Sequence, residues 1–271
     1  MSTLYIVATP IGNLSDLTIH ASEILSSVPV VAAEDTRITK KLLNHIKASP
    51  EMVSLNEHTS PKRIETILKK LKVSNMALVT DAGTPGISDP GASLVSSAHK
   101  EGHKVTPIPG PSAVVTALSV TGWAFDRFLF IGFPSRKKKE QINILNELIN
   151  ETGPIVMYES PHRLRATLSN INRTFKDRPL VICRELTKVH EEIFIGNASK
   201  ALNYFENPRG EFVVVIQGVD ELLTPDLTDK EIIQTIETLK SDGMRGRALV
   251  DRAFELTGAS KRRVYRLSLN K

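Results

Sequence analysis

The chain has 271 residues, 41% of them hydrophobic and 24% charged, with a formal net charge of +5. That balance is ordinary for a globular protein with room for one large or two medium domains, and no apolar run approaches the ~20 residues that span a bilayer. An integral membrane protein is therefore not expected, and the single cysteine, Cys183, rules out an internal disulfide.

The opening "MSTLYIVATP" leads straight into a strand without the basic-then-apolar layout of a signal peptide, so the cytoplasm is the expected compartment. Short β-rich runs follow in order: "LYIVA", "VVAAE", "MVSLNE", "MALVT" and "KVTPI". Helix-period segments such as "IHASEILSSV" and "PKRIETILKKLK" separate them. Strands alternating with helices predict an α/β fold with a mainly parallel sheet, whose ligands bind at the carboxyl ends of the strands. Three of the strands run into glycine- and proline-bearing loops, Thr9 to Asp16, Asp81 to Gly91 and Pro109 to Ala113. In a parallel sheet all three gather at one rim.

A break at Gly122 and Trp123 and the run "FLFIGFPSRKKKEQ" mark a crossing into a second α/β domain. Its expected elements are a helix over Lys139–Ile149, strand "PIVMYES", helix "PHRLRATLSNINRTF", and strands "PLVICREL", "EEIFIG" and "EFVVVIQG". The last three have little helix between them, which predicts a mixed or antiparallel sheet. Cys183, inside one of these strands, reads as a small core side chain because nothing nearby supplies an activating base. The expected domains are 1–125, 126–219 and, after the polar linker "VDELLTPDLT", a basic tail over 229–271.

Within that tail, Met244 to Lys271 holds eight Lys/Arg against Asp251 and Glu255, a net +6 that exceeds the charge of the whole chain. "RGRALVDRAFELTG" followed by "ASKRRVYRLSL" has a helix-turn-helix layout suited to nucleic acid, with a solvated helical hairpin as the plainer alternative. The run "RKKK" at Arg136 to Lys139 is a second candidate for phosphate contact, or a solvated charged face.

The loops lack both the dinucleotide fingerprint and the P-loop pattern. "LVTDAGTPGISDPG" places three glycines, two prolines and two aspartates directly after an apolar run. Glycines admit a ligand close to main chain and prolines stiffen it while removing donors, which suits a neutral or cationic ligand better than a phosphate chain. No histidine pair has metal-ligand spacing with supporting Cys or Glu, so no metal is expected.

The ordered motifs "LYIVATPIGNLSDLT", "AAEDTR", "SLNEH", "DAGTPGISDPG", "PIPGPSA", "YESPHR" and "RELTKVHEE" closely resemble the small-subunit rRNA methyltransferases of the tetrapyrrole-methylase superfamily. The resemblance covers essentially the whole chain. It implies two α/β domains with S-adenosylmethionine (SAM) in the cleft between them, a homodimer, and methyl transfer to the ribose 2′-oxygen of a cytidine in the decoding centre of 16S rRNA. It assigns donor contacts to Pro10, Ile11 and Gly12, to Ala82, Gly83, Thr84 and Ile87, to Ser112 and Ala113, and in the second domain to Tyr158, Glu159, Glu185 and Leu186. Many relatives carry Gly-x-Gly-Pro-Gly-Asp in the first loop where this chain has "ATPIGNLSD"; that departure points to the rRNA branch.

Transfer to a ribose hydroxyl requires in-line positioning and a group to receive the proton. Glu34 and Asp35 follow the second strand and His58, beside Glu57, follows the third, making Asp35, Glu34 and His58 the candidate catalytic groups. Asp35 is equally placed to cap the helix beginning near Thr36. Arg37, Arg163, Arg184, Lys261, Arg262 and Arg263 are the candidate RNA contacts, with Arg163 and Arg184 alternatively ordering the cleft. The competing functions are methylation of a tetrapyrrole or other small substrate, which the basic tail disfavours, and a catalytically idle RNA-binding protein.

Overall fold

The computed structural model describes residues 2–219, 227–259 and 261–269. Most of the linker predicted over 219–228 lies outside them. The first half alternates strictly: β1 (Thr3–Val7), α1 (Ile19–Ser27), β2 (Val30–Ala33), α2 (Thr36–His45), β3 (Glu51–Ser54), α3 (Pro61–Val73), β4 (Met76–Val79), α4 (Ala92–Lys100) and β5 (Lys104–Ile108). The strands pair in the order β3-β2-β4-β1-β5, every pair parallel. β2 and β4 are buried along their whole length, because helices cover both faces, and their sequences are accordingly continuous apolar runs. α3 shows how local code sets this up. Ser60 caps it through the Arg63 N–H, Pro61 opens it, and Ile64, Ile67, Leu68 and Leu71 recur on one buried face.

The second half holds α5 (Ala113–Ser119), β6 (Leu129–Phe130), α6 (Lys138–Glu147), β7 (Ile155–Glu159), α7 (Pro161–Phe175), β8 (Pro179–Arg184), β9 (Glu192–Asn197), α8 (Ala198–Tyr204) and β10 (Phe212–Ile216). Here the strand order is β6-β7-β10-β8-β9, parallel only between β6 and β7. This is the mixed sheet read from the closely spaced strands. α6, α7 and α8 cover one face around Leu145, Leu164, Leu168 and Phe212. The other face is covered by α5, whose Val114, Ala117 and Leu118 pack on Val156, Val181, Cys183, Val213 and Val215. α5 leaves the first sheet's last strand and serves as a layer of the second sheet.

Three helices close the chain: α9 (Asp229–Ser241), α10 (Gly246–Thr257) and α11 (Lys261–Leu269). α10 and α11 match the two helices read from the sequence, with Gly258 in left-handed conformation at the turn. α9 was not foreseen. It starts from a capping box in which Thr228 and Glu231 satisfy each other's backbone N–H, and it supplies Ile232, Ile236 and Leu239 to a small core with Leu249, Ala253, Val264 and Leu267. Among the described residues no helix is long and apolar enough to cross a membrane.

Leu4, in β1, an interior strand of the first sheet, is fully buried. Leu4→Ala is expected to cost about 2–5 kcal/mol, read as a lowered denaturation midpoint.

Candidate active site between the two sheets

β4, β1 and β5 are neighbours in the first sheet, so the loops leaving their carboxyl ends are forced together. Thr9 and Gly83 lock two of them by exchanging backbone hydrogen bonds of 2.8 and 3.0 Å. Gly83 has φ 73°, and a Cβ there would meet nothing nearer than Ile11 at 3.7 Å, so its face is left open to a ligand. The loops and the second sheet enclose a cavity of about 430 Å³, a size that holds a small-molecule ligand.

Ile11, Ala82, Gly83, Thr84, Ile87, Ser112 and Ala113 line it from the first sheet's loops, and Tyr158, Glu159 and Leu186 from the second sheet. Three of the expected donor contacts are not in its wall. Pro10 lies outside it, and Gly12 instead meets the second half directly: a Cβ would stand 2.5 Å from Lys188 Cγ and 2.8 Å from the Leu186 carbonyl oxygen. Glu185, at φ 50°, has its carboxylate bound by Lys188 Nζ at 3.0 Å and the Glu211 N–H at 2.9 Å. Of these three, Gly12 marks the close approach of the two halves, and Glu185 is tied within the second half.

The aromatic part of the wall is a small cluster, with Tyr158 edge-on to Phe130 at 4.9 Å and tilted against Phe133 at 5.4 Å. Glu159 is a buried carboxylate with a full set of partners. It accepts from the Ser160 N–H at 2.8 Å and the Thr167 hydroxyl at 2.5 Å, and pairs with Arg163 at 3.4 Å. Gln141 donates to Thr167 at 2.9 Å, tying α6 and α7 into the same network. Cys183 contributes to the wall yet is fully buried, and burial pushes its thiol up to about 12, as suits a core side chain.

Negative charge dominates the lining. Asp89, Glu159 and Glu211 contribute to it, and among the described residues no lysine or arginine does. Behind the rim, Asp81 accepts the Asp35 N–H at 3.0 Å and Glu34 accepts the Asp81 N–H at 3.3 Å, so the β2 and β4 loops are stitched by two carboxylates. Burial, then neighbouring carboxylates, raises the pKa of Glu34. Burial likewise raises that of Asp81. Asp89 goes furthest, to about 7, through burial and the charges of Glu34 and Asp81.

Of the candidate catalytic groups, Asp35 caps α2 through the Arg37 N–H and holds the Arg37 guanidinium at 2.5 Å, which keeps its carboxyl down at about 2. Glu34 faces the stitched loops, and His58 lies in an exposed turn after β3 with its N–H on Asn56. None of the three is in the cavity wall. Asp89, which is, sits inside the loop motif that drew attention in the sequence. Its signal there was a carboxylate before a proline in an otherwise side-chain-poor segment. Phe133 carried no comparable signal.

The candidate RNA-binding arginines are engaged within the chain. Arg163 donates to the Pro134 and Ser135 carbonyls as well as pairing with Glu159, and Arg184 donates to the Arg209 carbonyl and pairs with Glu192 at 3.1 Å. Arg263 binds Asp229 at 2.8 Å and the Leu227 carbonyl, fastening α11 to the start of α9. The side chains of Lys261 and Arg262 lie outside the described residues. Arg136, Lys138 and Lys139 are exposed around the start of α6, and Arg245 and Arg266 are exposed on the helical tail.

The model of the tetrapyrrole (corrin/porphyrin) methylases matches residues 3–202. The chain belongs to that family. A protein from Synechocystis named ribosomal RNA small subunit methyltransferase I is 42% identical over 99% of this chain and 98% of its own. One of the same name from Thermotoga maritima is 45% identical over 99% of its own length but 80% of this chain. Among solved structures, uroporphyrin-III C-methyltransferase from Thermus thermophilus complexed with S-adenyl homocysteine has a TM-score of 0.58 at 17% identity, covering 80% of this chain and 97% of that one.

The raised Asp89 pKa carries a stability consequence. The folded chain binds its proton more tightly than the unfolded chain, so this group lowers stability as pH rises from the unfolded value near 3.8 to about 7. Asp89→Asn is expected to melt higher than the parent at alkaline pH, with the difference vanishing in acid, as followed by thermal unfolding across pH.

Proposed function

We propose that the chain is a cytoplasmic, SAM-dependent 16S rRNA methyltransferase that methylates the ribose 2′-oxygen of a cytidine in the decoding centre. The single observation that carries the SAM reading is the cavity itself: a floor of small loop residues, an apolar and aromatic wall, and a lining whose charged members are the carboxylates Asp89, Glu159 and Glu211, with no lysine or arginine among the described residues, although Arg163 and Lys188 pair with the latter two. A phosphate-bearing cofactor would be repelled there, whereas SAM brings a sulfonium and an ammonium. The rRNA reading rests on the full-length relatives, and the cytidine 2′-oxygen on the motif resemblance.

SAM supplies a methyl group on a cationic sulfur. The loop residues Ala82 to Thr84 and Ser112 with Ala113 would meet it through main chain, and Tyr158 and Leu186 would flank its purine and ribose. The acceptor ribose must then enter from the open side of the cavity, held in line with the methyl group. RNA phosphates would be met outside the cavity. The first turn of α6 carries Lys138 and Lys139 at the positive end of a helix, an arrangement that an approaching phosphate would relieve. Arg245 and Arg266, exposed on the tail, offer further cationic groups. A second copy of the chain would pair through apolar surface, for which the edge strand β9 offers Ile193 and Ile195 at 41% and 67% exposure.

Two outcomes are expected. Nucleoside mass spectrometry of 16S rRNA or small subunits incubated with the protein and SAM should reveal one 2′-O-methylcytidine; a methyl on a base, or on no nucleoside, refutes the assignment. Deleting 229–271 should weaken RNA binding and its salt dependence while leaving SAM affinity, measured by calorimetry, unchanged.

A further inference from the structure

The turn that carries Asp89 is fixed from both sides. Gly86, Ser88 and Gly91 all take positive φ, at 83°, 61° and 137°. Two of these are glycines, but Ser88 holds the left-handed region with a side chain, a strained conformation that must be imposed by its surroundings. From the second half, Gly132 presses on the same turn, where a Cβ would stand 3.1 Å from Ser88 Oγ. This packing sets Asp89 into the cavity wall between the two sheets.

The other carboxylates nearby are occupied. Glu159 is held by Ser160, Thr167 and Arg163, and Glu211 by Lys188 at 2.9 Å. Glu34 and Asp81 accept backbone N–H groups across the rim, and Asp35 is paired with Arg37. Among the described residues, no hydrogen bond or ion pair engages the Asp89 carboxylate. Resting on the ribose-methyltransferase reading, we propose that Asp89 is the catalytic base that takes the proton from the acceptor hydroxyl.

The step balances with the groups already named. The hydroxyl O–H bond breaks and its proton passes to an Asp89 carboxylate oxygen as the ribose oxygen bonds the methyl carbon. The methyl–sulfur bond breaks, its electron pair stays on sulfur, and the sulfonium becomes a neutral thioether. Asp89 then returns the proton to solvent. Its surroundings suit that work, since Glu34 and Asp81 from the first sheet and Tyr158 from β7 face it without a cation. Arg37 and Arg163 are spent on Asp35 and Glu159. A base poised near neutrality is both available to accept a proton and strong enough to drive transfer.

The test is single-turnover methylation of small subunits by the full chain across pH, with SAM affinity measured by calorimetry on each variant. The parent rate should climb with pH to an inflection at or below about 7, since a bound sulfonium draws the carboxyl downward from the value of the free protein. Asp89→Asn should lose about 10²–10⁴-fold in rate at saturating SAM and the inflection with it, while SAM binding weakens only by the loss of one charge from the wall. A variant that keeps its rate or the inflection overturns the proposal. So does loss of SAM affinity with the rate at saturating SAM intact, which would make Asp89 a donor contact. Should Asp89→Asn fail to fold, the parent decides alone: a rate independent of pH sinks the assignment. A parent that binds SAM and methylates no rRNA overturns the ribose-methyltransferase reading itself, and that result is separate from any behaviour of the variant.

Discussion

The structure depends on one apolar contact, the packing of α5 against the second sheet. Val114, Ala117 and Leu118 seal a face formed by Val156, Val181, Cys183, Val213 and Val215, and Ile11 from the first loop joins the edge of that cluster. Because α5 begins directly after the third ligand loop, at Ser112 and Ala113, the hydrophobic burial that completes the second sheet also fixes the depth of the cavity. A cavity lined by residues far apart in sequence is therefore held by core packing rather than by the loops themselves. The close approach of Gly12 to Leu186 and Lys188 makes the same connection at the rim, where a side chain would force the halves apart.

Much of this architecture was legible in the sequence because parallel strands leave a strong mark. "VVAA" and "MALV" are continuous apolar runs with no polar face, which only a doubly covered strand needs. The three ligand loops could be assigned to one rim for the same reason. α9 was harder to see, since its apolar Ile232, Ile236 and Leu239 are diluted by charged residues and its burial comes from α10 and α11 rather than from its own composition. Cavity contacts from the second half were partly legible: Tyr158, Glu159 and Leu186 line the wall, but Glu185 is turned away by a positive φ that no local pattern announces.

The candidate chemistry was the least legible part. Asp35 has the right residue type on the right rim, yet an arginine two positions on consumes it, and the same pairing occupies Arg37. Arg163 and Arg184 similarly lie where RNA contacts would be sought and are instead bound to backbone carbonyls and carboxylates. Sequence identifies a charged group; whether it is free is decided by partners that only the fold supplies. Asp89 shows the reverse, an unremarked member of a loop that becomes prominent because no described residue pairs with it.

The sign of the cavity's charge also bears on turnover. Glu159 and Glu211 in this wall are already held by Arg163 and Lys188, whereas no described residue engages Asp89; under the proposed reading Asp89 would grip an incoming positive sulfur and lose that grip once the sulfur has been neutralised by giving up its methyl group. The same electrostatics that recruit a fresh donor would thus expel the spent one, so that the reaction itself weakens the hold of the by-product and clears the cavity for the next cycle.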